Sequence, residues 1–372
     1  MRKKKKLKSG VSLILVILIV ALFAFMLFTQ NKENYNSVKS KYSDEANIVA
    51  EKHGIEDKLL QYPYSKTLEV ILESDNFKKE YFDKYMDVLY VEEEAFINNV
   101  NTLLGSKYSA DEINKIFKLS TRNQDLFLEK KLNNFIEYVD EINFNATNID
   151  RYNAYKDLNK DYNVSEIVTF VNLNLDKKFY EVNYEIKYKD SVDVLVNKYN
   201  SLTKEFVPKD IVSLTNFAHV KMRKDAANKF EEMVNAAKDD GFIFEPTTAY
   251  RNANFQNILY TNYVKKDGKD AADTYSARPG NSEHQTGLVV DIKNPEYYSK
   301  TNIRLNEEDY KWILDNAHKF GYIVRYPKDK TYITGYIEEP WHLRYLGVDL
   351  ATKVIESNLT FDEYYDKYLV EY

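Results

Sequence analysis

The 372-residue chain has no cysteine, ten glycines and seven prolines. Without cysteine there is no disulfide scaffold, thiol nucleophile, iron–sulfur cluster or Cys-ligated zinc site. So few glycines argue against glycine-rich nucleotide-binding loops and collagen-like architectures. A basic surplus is missing as well: 52 Lys+Arg stand against 58 Asp+Glu, a net charge of −6. Soluble nucleic-acid binders usually carry such a surplus, so no nucleic-acid partner is expected. What the chain does have is 30% charged and 15% aromatic residues, the composition of a folded protein. The length allows two domains or one large one.

The charge is unevenly spread. Arg2, Lys3, Lys4, Lys5, Lys6 and Lys8 give residues 1–29 six positive charges and no acid, so the remainder holds −6 less six, or −12. Val11 to Thr29 then reads VSLILVILIVALFAFMLFT, nineteen residues without a charge. As a helix this run spans ~28 Å, close to the hydrocarbon thickness of a bilayer. The lysines should stay cytoplasmic. This predicts a cytoplasmic basic segment over 1–10, a transmembrane anchor over 11–29, and the rest of the chain outside. A cleaved signal peptide is the competing reading, but its apolar region is usually ~7–15 residues before a small-residue cleavage site. Here the run ends Phe25-Met26-Leu27-Phe28 with no Ala-x-Ala pattern.

Residues 31–190 are rich in Asn, Lys, Asp, Glu and Tyr, with apolar residues at helical spacing. Leu68 to Leu72, Ile113 to Leu119 and Leu132 to Val139 form three such stretches. Tyr108-Ser-Ala-Asp-Glu-Ile113 and Tyr162-Asn-Val-Ser-Glu-Ile167 are alike, and each fits a capped helix start. No catalytic spacing of His, Asp and Glu occurs here, and His53 reads as a surface residue. The region is expected to be a helical accessory or spacer domain, its tyrosines covering a core. From 191 to 372 the pattern changes. Helices are predicted over 223–240, 253–265 and 306–320, and short strands over 242–244, 247–250, 288–292, 322–326 and 341–345. Mixed elements of this kind make an α+β domain.

Two strings in that domain carry chemistry. His284 stands in Asn281-Ser282-Glu283-His284-Gln285-Thr286-Gly287, and Asp291 ends the apolar run Leu288-Val289-Val290. A carboxylate on a buried strand is costly unless paired or metal-bound. His342 follows Glu338-Glu339-Pro340-Trp341. Two imidazoles and one carboxylate suit a zinc site with an open fourth position. Glu339 is then placed to move protons as a general base. Each string alone also fits a structural role, with His284 and Asp291 paired and Trp341 anchoring a core. His219 and His318 have no comparable context.

Ser282-Glu283-His284-Gln285-Thr286-Gly287-Leu288-Val289-Val290-Asp291 resembles the Ser-x-His-x-x-Gly-x-Ala-x-Asp signature of VanY-type D-alanyl-D-alanine carboxypeptidases. Glu339-Pro340-Trp341-His342 resembles their second motif, and Thr248-Ala249-Tyr250-Arg251 and Ala277-Arg278-Pro279-Gly280 match further stretches. The resemblance covers about residues 191–348, with Val289 where that family has Ala. It implies zinc on His284, Asp291 and His342, and Glu339 as general base. It further implies Arg251 on the substrate's terminal carboxylate, with Ser282, Gln256 and Arg278 also touching substrate. The expected activity is a zinc carboxypeptidase trimming D-alanine from peptidoglycan stem peptides, on the outer side of a bacterial membrane. An L,D-carboxypeptidase acting on tetrapeptide stems, or a non-catalytic wall-binding protein, are the rival readings. Nothing in the sequence sets an oligomeric state.

Overall fold

The computed structural model describes residues 18–30, 33, 41–59 and 62–372. Residues 18–30 are helical, with Phe23, Phe25 and Phe28 exposed. The first part of the expected anchor, and the basic segment 1–10 before it, lie outside the described residues. Among the described residues no helix is long and apolar enough to cross a membrane, so the expected transmembrane helix finds no support there.

The chain divides into two compact units, Met1–Val139 and Asp140–Tyr372. In the first, short helices begin at side-chain caps. Ser43 and Ser65 accept from backbone N–H groups of Asp44–His53 and Lys66–Leu72. Ser109 and Glu112 form a reciprocal capping box on Ala110–Ile116. The tyrosines here cover a core, with Tyr85, Tyr108 and Tyr138 all buried. One expected helix is absent: 132–139 is irregular, with Asn134 in the left-handed region at φ 58°. The apolar side chains of that stretch are still used. Phe135 packs edge-on against Phe127 and Tyr108, at 4.6 and 6.0 Å, so burial survives without helical periodicity.

The second unit begins earlier than the composition suggests. Ile149–Leu158 and Val164–Asn172 belong to it, the latter opened by a capping box of Asn163 and Glu166. Besides two two-stranded ribbons, the unit has a four-stranded sheet: β1 (Glu245–Thr248), β2 (Val289–Lys293), β3 (Tyr322–Tyr326) and β4 (Glu339–Tyr345). Their order is β1-β2-β4-β3, every neighbour antiparallel. The run 242–244 is not a strand; Phe242 and Phe244 instead pack on Trp312, with ring centroids 6.1 and 5.6 Å away.

Strand alternation sorts side chains between two faces. Val290, Ile292, Tyr322, Val324, Leu343 and Tyr345 point into one core. There they meet Phe230 and Met233 of α1 (Lys224–Asp239) and Trp312 and Ile313 of α2 (Glu307–Asn316). Each such large side chain, fully buried, contributes about 1.5–3 kcal/mol. The residues between them, Asp291, Arg325, His342 and Arg344, lie on the opposite face and are also buried. Beside that face Ile323 packs with α3 (Val348–Ser357) and α4 (Phe361–Tyr368). Polar groups buried there must find partners, and the functional site is built from that requirement.

Candidate metal centre

Asp291 of β2 and His342 of β4 are direct cross-strand partners, a pairing that brings side chains on one face within contact. His342 Nδ1 is 3.3 Å from Asp291 Oδ1. His284 reaches the same point from the one-turn helix Glu283–Thr286 that precedes β2. That turn is closed by Gly287 at φ +69° beside the Arg223 backbone, a left-handed conformation that favours glycine. The His284 Nδ1 donates to the Ala249 carbonyl at 2.7 Å. A carbonyl can only accept, so this nitrogen carries the proton and Nε2, 3.6 Å from Asp291 Oδ1, keeps its lone pair.

The three ligand atoms lie within 4.8 Å of one another and all three residues are buried. Asp291 Oδ1 is buried without a hydrogen-bond partner, although it faces two imidazoles. Electrostatics favour a cation at this point. Burial, then Arg251, hold the His284 imidazole well below its usual range, so it is neutral. Burial raises Asp291, but the two imidazoles and Arg251 outweigh it and keep the carboxyl ionised. Burial lowers His342, yet the carboxylates of Asp291, Glu283 and Glu339 around it lift it to about 10. Three carboxylates thus converge on one imidazole, a setting that favours positive charge at this point. Two imidazoles and a carboxylate at this spacing fit zinc.

Glu339 is brought in by an irregularity. Residues three apart on a regular strand face opposite ways, but the β3–β4 register shifts between Val324 and Tyr326. Glu339 Oε2 therefore lies 3.3 Å from His342 Nδ1. Both open into a cavity of ≈ 210 Å³ that Arg251, Gln256 and Ser282 also line. Arg251 follows β1, its backbone N–H bonded to the His284 carbonyl at 3.2 Å, and its Nε is buried without a partner. Gln256 donates through Nε2 to the Ala277 carbonyl at 2.8 Å and leaves Oε1 unpartnered.

Arg278, which the sequence groups with the substrate contacts, is not among the residues lining this cavity. Its guanidinium is engaged by Asp273 at 2.7 and 3.1 Å and stacks on Tyr180 at 3.9 Å. Sequence reasoning missed Arg304, which lines the cavity, stacks on Trp341 and lies 3.7 Å from Asp291 Oδ2. It also missed Glu283, the residue between Ser282 and His284. Glu283 Oε1 accepts from Arg325 Nε and Arg344 Nη1, both at 2.8 Å. Burial alone raises its carboxyl, but Arg325 and Arg344 hold it well below the carboxylate range.

Residues 219–348 match the family model VanY, D-alanyl-D-alanine carboxypeptidase. The putative carboxypeptidase YodJ of Bacillus subtilis is 38% identical over 195 residues, 49% of this chain and 70% of the relative. A D-alanyl-D-alanine carboxypeptidase of Enterococcus faecalis is 34% identical over 180 residues. That match spans 46% of this chain and 64% of the relative's length. Among solved structures, the LD-carboxypeptidase LdcB is 36% identical with a TM-score of 0.45, covering 50% of this chain and 90% of its own. VanYB in complex with D-alanine-D-alanine is 32% identical with a TM-score of 0.42, covering 48% and 98%.

Proposed function

The chain belongs to the VanY-type family of D-alanyl-D-alanine carboxypeptidases, which are zinc metallopeptidases, and on that premise we propose that it removes the terminal D-alanine from peptidoglycan stem peptides. One observation carries this reading. The ligand atoms of His284, Asp291 and His342 converge within 4.8 Å on a cavity that also holds Glu339 and Arg251.

Zinc held by these three residues would acidify water and polarise the scissile carbonyl. Glu339, beside the ligand set, accepts a proton from the attacking water and passes it to the leaving amine. The Arg251 fork receives the peptide's terminal carboxylate, a match of planar donors to a planar acceptor. Requiring that carboxylate makes the enzyme an exopeptidase. The unpartnered Gln256 Oε1 accepts an N–H of the bound peptide, and Ser282 adds a hydroxyl to the same wall.

The proposed site of action is outside a bacterial membrane, with the catalytic unit tethered by the N-terminal segment. Supporting this are the lysine cluster, the charge-free run 11–29 and the exposed apolar side chains of 18–30. Protease added to intact cells should then degrade the catalytic unit while the N-terminus stays protected; release of a shortened chain into the medium would favour a cleaved signal instead.

Mass spectrometry of penta- and tetrapeptide stems incubated with the protein, with and without a chelator, tests the activity. Loss of one D-alanine from the pentapeptide, abolished by the chelator, is the expected result. Trimming of the tetrapeptide alone would assign L,D-specificity. Binding of either peptide without release would leave a wall-binding protein.

A further inference from the structure

His342 has a second nitrogen, and the mechanism above does not use it. Nδ1 faces Asp291 and Glu339 at 3.3 Å each. Nε2 points the other way, buried and without a hydrogen-bond partner. The nearest carboxylate oxygen across the ring is Glu283 Oε2 at 3.6 Å, and it too is buried without a partner. Two orphaned polar atoms facing each other in the interior are costly apart and complementary together.

A neutral imidazole has one lone pair, so a ligand through Nδ1 must carry its proton on Nε2. We propose that Glu283 is the positioning residue for His342, accepting the Nε2–H so that Nδ1 is the nitrogen presented to the metal. The inference rests on the zinc-site reading above. The two histidines are then held through opposite nitrogens. His284 is set by the Ala249 carbonyl on its Nδ1, and His342 by a carboxylate on its Nε2.

The surroundings of Glu283 fit this task. Its Oε1 is held by Arg325 and Arg344, leaving only Oε2 for the imidazole. Those arginines are themselves fixed. Arg344 Nη2 donates to the carbonyls of Val192 and Val194 at 2.8 Å, and its Nε to the Tyr345 carbonyl at 3.0 Å. Arg325 Nη1 donates to Asp362 Oδ2 at 2.6 Å, and Asp362 Oδ1 accepts from Asn197 at 2.9 Å. The carboxylate is therefore locked in place before any metal arrives. Partners of this kind orient metal-bound histidines and typically change affinity 10–100-fold when removed.

The test uses the full chain in detergent, labelled with ¹⁵N-histidine and loaded with zinc, read by long-range ¹H–¹⁵N correlation. The expected spectrum has His284 metal-bound through Nε2 and His342 through Nδ1, with a protected, hydrogen-bonded Nε2–H on His342. Zinc held by His342 through Nε2, or an Nε2–H in free exchange, would overturn the proposal. A chain that takes up no zinc would overturn the site reading, and this inference with it. In Glu283→Gln an amide can still accept from the arginines but turns an N–H toward the imidazole. Zinc affinity, measured by competition with a chromogenic chelator, should fall 10–100-fold, and His342 should lose its single tautomer. Parental affinity with an unchanged His342 spectrum in a folded Glu283→Gln protein would refute the assignment. If that variant fails to fold, the parent spectrum alone still decides.

Discussion

Zinc uptake should be coupled to the release of one proton, and the site geometry identifies which. In the metal-free protein His342 keeps its proton to about 10, because Asp291, Glu283 and Glu339 outweigh the effect of burial. His284 is neutral at all working pH, held there by burial beside Arg251. Asp291 is already ionised. A zinc ion binding at pH 6 must therefore displace one proton, from the nitrogen of His342 that faces Asp291. Four pH units at 1.36 kcal/mol each put the opposing free energy at about 5 kcal/mol at pH 6, falling to about 3 kcal/mol at pH 8. The sign follows directly: affinity rises about tenfold for each pH unit gained between 6 and ~7, below the ionisation of zinc-bound water. Calorimetric titration at pH 6, in two buffers of different ionisation enthalpy, reads the proton count. That pH lies below the ~7 at which water on a catalytic zinc ionises, so water should not contribute. About one proton per zinc is expected. None would mean that the three carboxylates do not hold His342 charged, and the electrostatic account of the site would fall. Two would mean that His284 is protonated despite its burial.

Three further outcomes separate the roles assigned to individual side chains. Glu339→Gln should keep its zinc while turnover falls ~10²–10⁴-fold; near-parental turnover at full zinc content would remove Glu339 from the mechanism. Arg251→Ala should lose about 1.5–3 kcal/mol of substrate binding, read mainly as a raised KM. A C-terminally amidated peptide should be equally poor for both proteins, and a strong difference between them would refute the carboxylate contact. Arg344→Leu leaves Glu283 with one guanidinium instead of two in a fully buried setting. Breaking such a pair costs about 3–5 kcal/mol, so the melting temperature should drop by ~6–20 °C; an unchanged value would show the network to be dispensable.

How much of this was legible in the sequence depends on the range of the contact involved. The strings around His284 and His342 announce themselves because metal ligands are drawn from few residue types and each string carries its own pattern, although the pairing that joins Asp291 to His342 is long-range. Helices with polar caps, such as the one opened by Asn163 and Glu166, are legible for the same reason. The Arg278–Asp273 pair spans only five residues, yet a single stretch of sequence does not say whether such a pair closes on itself or opens to a ligand. Glu283 and Arg304 were invisible because their meaning lies in residues far along the chain. The compact unit extends past the change of composition near residue 190. Residues 140–190 share the Asn- and Tyr-rich composition of the preceding helices, yet they pack with the catalytic unit. Asn143 and Asn172 both donate to Asp366 of α4, and Lys367 bonds Ser165 at 2.9 Å. α4 also supplies Asp362, which holds Arg325 against Glu283. One helix thus carries contacts to the helical segment on some residues and to the support of His342 on another. Composition records what a segment is made of, and here the functional boundary follows what it is bonded to.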